Sequence, residues 1–303
     1  MKTRTQSGFF CIGGNKMNKL PPLVLPKVEF NREFSFSDAD FERIRKLIYK
    51  EAGISLNPSK KDMVYGRLVR RIRELKLATF AAYVDYLESV AGKREFEQFV
   101  NALTTNLTFF FREEHHFPIL ADHLKQRAAA GASELSIWCA ASSTGEEPYS
   151  LAITALEAFP HGSKPAISII ATDLDTSVLE TGRKGIYPED KIARLPPGHA
   201  HKYFDKLPDG NYQAKAVLRN MITFQRLNLI ENNWALRKQF DAIFCRNVMI
   251  YFDRDTQFAV LKKFAPLLKP DGLLFVGHSE NFYFASDYFQ LRGKTVYQHA
   301  PKK

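Results

Sequence analysis

The sequence predicts an α/β fold, a doubly wound parallel sheet with a small antiparallel insertion, preceded by a small all-α domain. Two observations carry this. From about residue 135 onward, short apolar runs alternate with amphipathic stretches, the pattern of strands joined by crossover helices. Ahead of that point apolar residues recur only at helical spacing. With 303 residues, 45% of them hydrophobic, the chain is long enough to bury the cores of two domains.

Residues 1–33 read as a disordered tail. The segment is basic, and its apolar patch is too brief and too glycine-broken for a signal peptide. Residues 34–105 form the helical domain. "FSFSDADFERIRKLIYKEAGISL" places Ser37 and Asp40 at capping-box spacing, lines Phe41, Ile44, Leu47 and Ile48 along one face, and offers Gly53 as a stop. In "NPSKKDMVYGRLVRRIRELKL", Val64, Leu68, Ile72 and Leu75 make an apolar stripe flanked by Lys60, Arg67, Arg70 and Arg71. "FAAYVDYLESV" and "REFEQFVNALT" are two further helices. Residues 106–134 connect the domains and contribute to the active site.

The sheet domain spans 135–303. "LSIWCA", "AISIIATDLD", "FDAIFCRNVMIYF", "LLFVGHS" and "TVYQHA" supply strands, and "EEPYSLAITALEAF", "TSVLETGRKGIY" and "DTQFAVLKKFAPLLKPDG" supply helices. Between about 192 and 226 the alternation breaks into short antiparallel strands around a Pro-Asp-Gly turn, read as an insertion.

Composition excludes several classes. No apolar run is long enough to cross a bilayer, so no membrane insertion is expected. Cys11, Cys139 and Cys245 are far apart and form no CxxC pair, so neither a disulfide framework nor a metal site is expected. A cytoplasmic location follows as the default. The net charge of +10 suits an anionic partner without choosing among nucleic acid, phospholipid and acidic protein.

Ligands of a doubly wound sheet bind outside the carboxyl ends of its strands. There "AASSTGEE" offers small residues and two acids, where a phosphate loop would offer amides and a lysine. The second strand ends in "ATDLD". Asp173 is placed to accept from ribose hydroxyls, while Asp175 caps the next helix. An adenosine ligand without phosphates fits. In S-adenosylmethionine the ribose would meet Asp173, and the cationic amino group and sulfonium would meet Glu146. "NALTTNLTFFFREEHHF" sets Arg112 after three phenylalanines, and "FCRNVMIYF" sets Arg246 and Asn247 directly after a strand. His115 and His116 read as helix residues rather than metal ligands.

"TTNLTFFFRE", "STGEEPYS", "ATDLDTSVLETGRKGIY", "CRNVMIYF" and "LLKPDGLLFVGHSENF" occur in that order. Together they resemble the chemotaxis receptor methyltransferase family (CheR) over roughly residues 35–298. The resemblance implies a Rossmann-like S-adenosylmethionine-dependent methyltransferase domain with an inserted β-subdomain behind a helical N-terminal domain. It implies a cofactor site of Asn106, Thr108, Arg112, Glu146, Asp173, Asn228, Leu229, Arg246 and Asn247. The implied reaction is methylation of glutamate side chains in the helical, cytoplasmic methylation region of chemoreceptors, with S-adenosyl-L-homocysteine as the second product.

A glutamate acceptor is already an anion at neutral pH, since its unperturbed pKa is about 4.3. Catalysis then needs alignment and controlled desolvation rather than a base. Arg112 is the candidate to hold the acceptor carboxylate, with Tyr251 as a hydroxyl partner and Phe109 to Phe111 excluding water. Arg67, Arg70 and Arg71 would hold the acidic receptor surface. A monomer is expected, and no nucleic-acid partner: no Pro-Pro-Tyr type motif is present, and no aromatics interleave the basic stripe. The insertion loop "KLPDGNYQAKA" is shorter and less glycine-rich than in family members that bind a receptor C-terminal peptide, so no such tether is expected. Two rivals differ in class. A small-molecule carboxyl methyltransferase would use the helical domain as a lid. A cofactor-sensing module would bind without turnover, and an activity assay separates it.

Overall fold

The computed structural model describes residues 32–160 and 165–301. The expected tail, 1–33, and Cys11 fall almost wholly outside them.

Four helices form the first domain: α1 (Asp38–Ala52), α2 (Lys61–Glu74), α3 (Phe80–Glu88) and α4 (Lys93–Leu103). The capping box is formed in both directions. The Ser37 hydroxyl accepts from the Asp40 amide, and the Asp40 carboxylate accepts from the Ser37 amide. Gly53 ends α1 at φ 70°, the left-handed region, and a Cβ there would lie 2.6 Å from Ile230 Cγ2. Phe41, Ile44 and Ile48 of α1 meet Val64, Leu68 and Ile72 of α2 in the domain's core. Leu47 and Leu75 pack at its margin.

The basic stripe of α2 does not face outward as a unit. Arg71 is turned into the domain, where Nε and Nη2 donate to the two oxygens of Glu95 at 2.9 and 2.6 Å. Glu95 is 5% exposed and also accepts from the Tyr83 hydroxyl at 2.9 Å. Burial and the Glu95 carboxylate push the Tyr83 phenol up, so it stays a donor. Arg71, expected to meet substrate, is thus a strut between α2 and α4. The planar guanidinium fork fits this two-point pairing, and only a buried partner could draw it inward.

Helix α5 (His116–Ala129) follows the linker and packs on α6 (Glu146–Ala158). The main sheet contains β1 (Glu134–Cys139), β2 (Ala166–Asp173), β6 (Ile222–Arg226), β7 (Phe240–Cys245), β8 (Leu268–Val276), β9 (Phe289–Gly293) and β10 (Val296–His299), in the order β6-β2-β1-β7-β8-β10-β9. β6, β2, β1, β7 and β8 pair in parallel, and β10 and β9 close one edge antiparallel. β7 is wholly buried and β1 nearly so, as expected of central parallel strands covered on both faces. Helix α7 (Thr176–Lys184) follows β2, capped as expected by Asp175, and α11 (Arg254–Phe264) follows β7. The last helix was expected to run through Gly272. It ends at Phe264, and a turn containing Pro266 leads into β8.

The insertion is a separate three-stranded antiparallel sheet of β3 (Ile186–Tyr187), β5 (Tyr212–Ala214) and β4 (Phe204–Lys206), with the short helices α8 (Glu189–Ile192), α9 (His199–Tyr203) and α10 (Ala216–Arg219). It begins before residue 192 and ends before β6. Residues 222–226 pair with β2 as the main sheet's edge strand. Tyr187, Ile192, Tyr203 and Leu218 enter the same core as β1 and α6, so the insertion is anchored rather than pendant.

Replacing Glu95 by alanine leaves Arg71 and Tyr83 without their shared acceptor. We expect a stability loss of about 2–3 kcal/mol by chemical denaturation, below the range for a fully buried pair because Arg71 keeps some solvent. A loss under about 1 kcal/mol removes Arg71 from the structural role.

Candidate active site

The order of strands reverses between β1 and β7, and a cleft of about 560 Å³ opens at their carboxyl ends. Its floor is Ala140, Ala141, Ser143, Asp173 and the stretch Leu227–Leu229. Its other wall comes from the helical domain and the linker: Ile54, Lys60, Met63, Arg67 and the stretch Thr104–Thr108. Backbone and side chains clasp the two walls. The Ser55 amide donates to the Tyr251 carbonyl at 2.8 Å, and Asn228 Nδ2 donates to the Glu51 carbonyl at 2.6 Å.

Of the residues expected at the cofactor, Asn106, Thr108, Arg112, Asp173, Asn228, Leu229, Arg246 and Asn247 line this cleft, as do Tyr251 and Arg67. Glu146, Arg70 and Arg71 do not. Glu146 is fully buried and faces the insertion, where it pairs with Lys191 and accepts from Thr144 Oγ1 at 2.6 Å. Glu147 takes the cleft side. Adjacent residues of a helix point about 100° apart, so only one of two neighbouring acids can face the strand ends. Arg70 is on the surface, 83% exposed, beside Glu74 at 3.1 Å.

The Glu147 carboxylate accepts from Arg246 Nε at 2.7 Å and from the Cys139 thiol at 3.2 Å. Arg246 Nη1 donates to the Arg112 carbonyl at 2.6 Å and to His116 Nδ1 at 3.2 Å. Burial, reinforced by Arg246, lowers His116 to about 4, so the ring is neutral at pH 7. With Nδ1 accepting, the proton sits on Nε2, which donates to the Lys294 carbonyl at 3.0 Å. Arg246 is therefore a buttress that fixes the linker against the sheet.

Asn247 is held by two carboxylates. Its amide donates to Glu280 Oε2 at 3.0 Å, and its side chain donates to Glu113 Oε1 at 3.1 Å. Glu280, 4% exposed, also accepts from the amides of Met249, at 2.8 Å, and Gly277, so it ties the loop after β7 to the loop after β8. Burial opposes ionisation of Glu113, but hydrogen bonds from His278 and Asn247 outweigh it and hold the group at about 2. Phe111, Glu113 and Asn247 all have φ between 54° and 59°, unusual for residues with a Cβ, so the surrounding bonds impose a costly backbone here.

Asp173 accepts from the amides of Ser143 at 2.8 Å and Asp175 at 3.0 Å. Burial raises it to about 6 despite these bonds. Asn106 Nδ2 donates to Asp175 Oδ2 at 2.8 Å, and Arg67 donates to the carbonyls of Leu103 and Thr104 at 2.9 and 2.6 Å. Arg112 donates to the Leu107 carbonyl at 2.8 Å and stands over Phe109, 5.8 Å from the ring centre. Among the described residues no carboxylate pairs with it, and the Tyr251 hydroxyl has no hydrogen-bond partner.

Sequence reasoning missed Glu147, Glu113 and Glu280. The first was visible as the neighbour of the acid chosen, and the other two lie inside the "FFFRE" and "GHSEN" motifs. The site suits an uncharged-at-ribose, phosphate-free nucleoside. Among the described residues, Asp173 is the cleft-lining acid at a strand end that has no cationic partner, and the loop after β1 carries no lysine.

Comparison with known proteins agrees. Residues 39–104 match the model of the CheR methyltransferase all-alpha domain, and residues 106–298 match that of the CheR methyltransferase SAM binding domain. The "Chemotaxis protein methyltransferase" of Escherichia coli (strain K12) is 48% identical over 274 residues, covering 89% of this chain and 94% of that protein. "Chemotaxis protein methyltransferase 2" of Pseudomonas aeruginosa is 47% identical over 284 residues, 92% of this chain and 100% of that protein. The "Chemotaxis protein methyltransferase" of Borreliella burgdorferi is 37% identical over 258 residues, 83% of this chain and 91% of that protein. The two-domain match, over nearly the whole length described here, places the chain in the CheR methyltransferase family, with S-adenosylmethionine as its methyl donor.

Proposed function

We propose that the chain methylates glutamate side chains of chemoreceptors, giving γ-carboxyl methyl esters in the receptors' helical cytoplasmic methylation region. The observation that carries this reading is Arg112, a half-buried guanidinium at the cleft that has no carboxylate partner among the described residues. Its bond to the Leu107 carbonyl and its position over the Phe109 ring restrain its orientation before any acceptor arrives.

S-adenosylmethionine supplies the electrophilic methyl group and leaves as S-adenosylhomocysteine. Asp173, Asn106, Thr108, Asn228 and Leu229 are the residues that would hold it, with Glu147 at the amino-group side in place of Glu146. Arg246 and Asn247 set the shape of the cleft from below. Arg112 takes the acceptor carboxylate, and the Tyr251 hydroxyl offers a second donor. No histidine or cysteine lines the cleft among the described residues, which suits an acceptor that is already ionised. Arg67 rims the cleft, and Arg70 is an exposed cation of α2 that can meet an acidic helical surface. The protein acts as a cytoplasmic monomer. Among the described residues no helix is long and apolar enough to cross a membrane.

Cofactor binding should depend on pH through Asp173. A carboxyl raised to about 6 is the stronger acceptor of ribose hydroxyls when ionised, with both oxygens free to accept, so affinity is full above pH 7 and falls as pH drops through 6. Calorimetry with S-adenosylhomocysteine should give affinity about ten-fold weaker at pH 5 than at pH 7.5. Asp173→Asn should bind weakly at both. A wild-type affinity flat across this range takes Asp173 out of the ribose site.

Arg112→Ala should fold and keep most of its cofactor affinity, yet lose roughly 10²-fold or more in single-turnover methyl transfer. Arg112→Lys should recover only part, because an ammonium keeps the charge without the fork. The readout is base-labile methanol released from receptor-containing membranes. A near-wild-type rate for Arg112→Ala would shift the role to Tyr251 or Asn247.

A further inference from the structure

Phe109 carries two guanidinium groups. Arg112 Cζ lies 5.8 Å from its ring centre, and Arg194 Cζ lies 5.6 Å from the same centre. Arg194 belongs to the insertion, just after α8. Among the described residues its guanidinium, like that of Arg112, makes no ion pair. Elsewhere on the molecule most arginines near a carboxylate are bound to one, as Arg43, Arg45, Arg71, Arg127, Arg183 and Arg246 are.

Arg194 is exposed, but its backbone is not free to wander. Ile192 and Leu195, 3% and 8% exposed, are packed into the main core on either side of it. Its amide donates to the Lys191 carbonyl at 3.3 Å. Lys191 in turn is fastened to the fully buried Glu146, and the Tyr187 hydroxyl donates to the Thr144 carbonyl at 2.9 Å. The insertion is thus pinned to the cofactor loop, and Arg194 is presented beside the linker at a set position. Its position over the Phe109 ring restrains the guanidinium and lowers the cost of ordering it for a partner.

We propose that Arg194 is a specificity-determining residue that binds a second carboxylate of the acceptor protein, next to the glutamate held by Arg112. The inference rests on the reading that Arg112 receives a glutamate acceptor. Two cations sharing one ring match two acids one or two turns apart on a helix, since residues four or seven apart lie on one face. The insertion then contributes to choosing which glutamate is methylated.

The test uses the full-length protein and synthetic helical peptides bearing one acceptor glutamate and a second glutamate four or seven residues away. Arg194→Ala should raise the KM for one of these peptides about five-fold, the scale of a well-formed exposed pair, with kcat and the KM for S-adenosylmethionine within two-fold of wild type. Replacing the second glutamate by glutamine should cost the wild type the same factor and cost Arg194→Ala nothing further. That non-additivity marks a direct partner rather than a general field. Arg194→Lys should lie between. An unchanged peptide KM in Arg194→Ala, or losses that add, overturns the proposal. Failure of the wild type to form base-labile methyl esters on any of the peptides or on receptor membranes overturns the glutamate reading itself, and this inference with it.

Discussion

The ion pair of Glu147 and Arg246 is the contact on which the rest of the site depends. It joins the start of α6, the helix after β1, to the residue just past β7, and β1 and β7 flank the point where strand order reverses. Both partners are buried, Arg246 at 5% and Glu147 at 9% exposure, so removing Arg246 strips Glu147 of its buried cation, while removing Glu147 leaves Arg246 only the more distant Glu113 at 3.7 Å. Arg246 then reaches the Arg112 carbonyl and His116, which fixes the linker between the domains. The orientation of the Arg112 side chain follows from where its own carbonyl is held. A buried cluster behind the cleft thereby determines how Arg112 is presented to it.

The carboxylates of the site divide the labour by environment. Glu113 and Glu280 receive hydrogen bonds from the loops after β7 and β8 and hold an unfavourable backbone at Asn247. Glu146 ties the insertion to the loop after β1. Asp173, like Glu280, has amide donors and an ionisation suppressed by burial, but of the two it is Asp173 that lines the cleft, where a hydroxyl-bearing ligand can reach it. Four acids of the same chemistry thus act as anchor, clamp or receptor according to what surrounds them.

Much of this was legible in the sequence where it is governed by local chemistry. Ser37 and Asp40 cap α1, Gly53 stops it and Asp175 caps α7, because these motifs need only a few consecutive residues. The parallel strands β1 and β7 could be read from continuous apolar runs. What failed depended on distant partners. Arg71 looks solvent-facing until Glu95, in another helix, is brought beside it. The phase of α6, set by Gly145 at φ 98°, decides between Glu146 and Glu147, and no periodicity reveals it. Residues 222–226 alternate buried and exposed because β6 is the edge of the main sheet, and that alternation resembles a strand of the insertion.

The helical domain is no detachable module. The Asn228 side chain bonds a carbonyl of α1, and Arg67 of α2 bonds the carbonyls that lead from α4 into the cleft. A graft of these helices from a relative would carry with it Ile54, Lys60, Met63 and Arg67, which line the cleft. Changes in these helices are consequently felt at the cleft that holds the methyl donor, whatever else the helical surface meets.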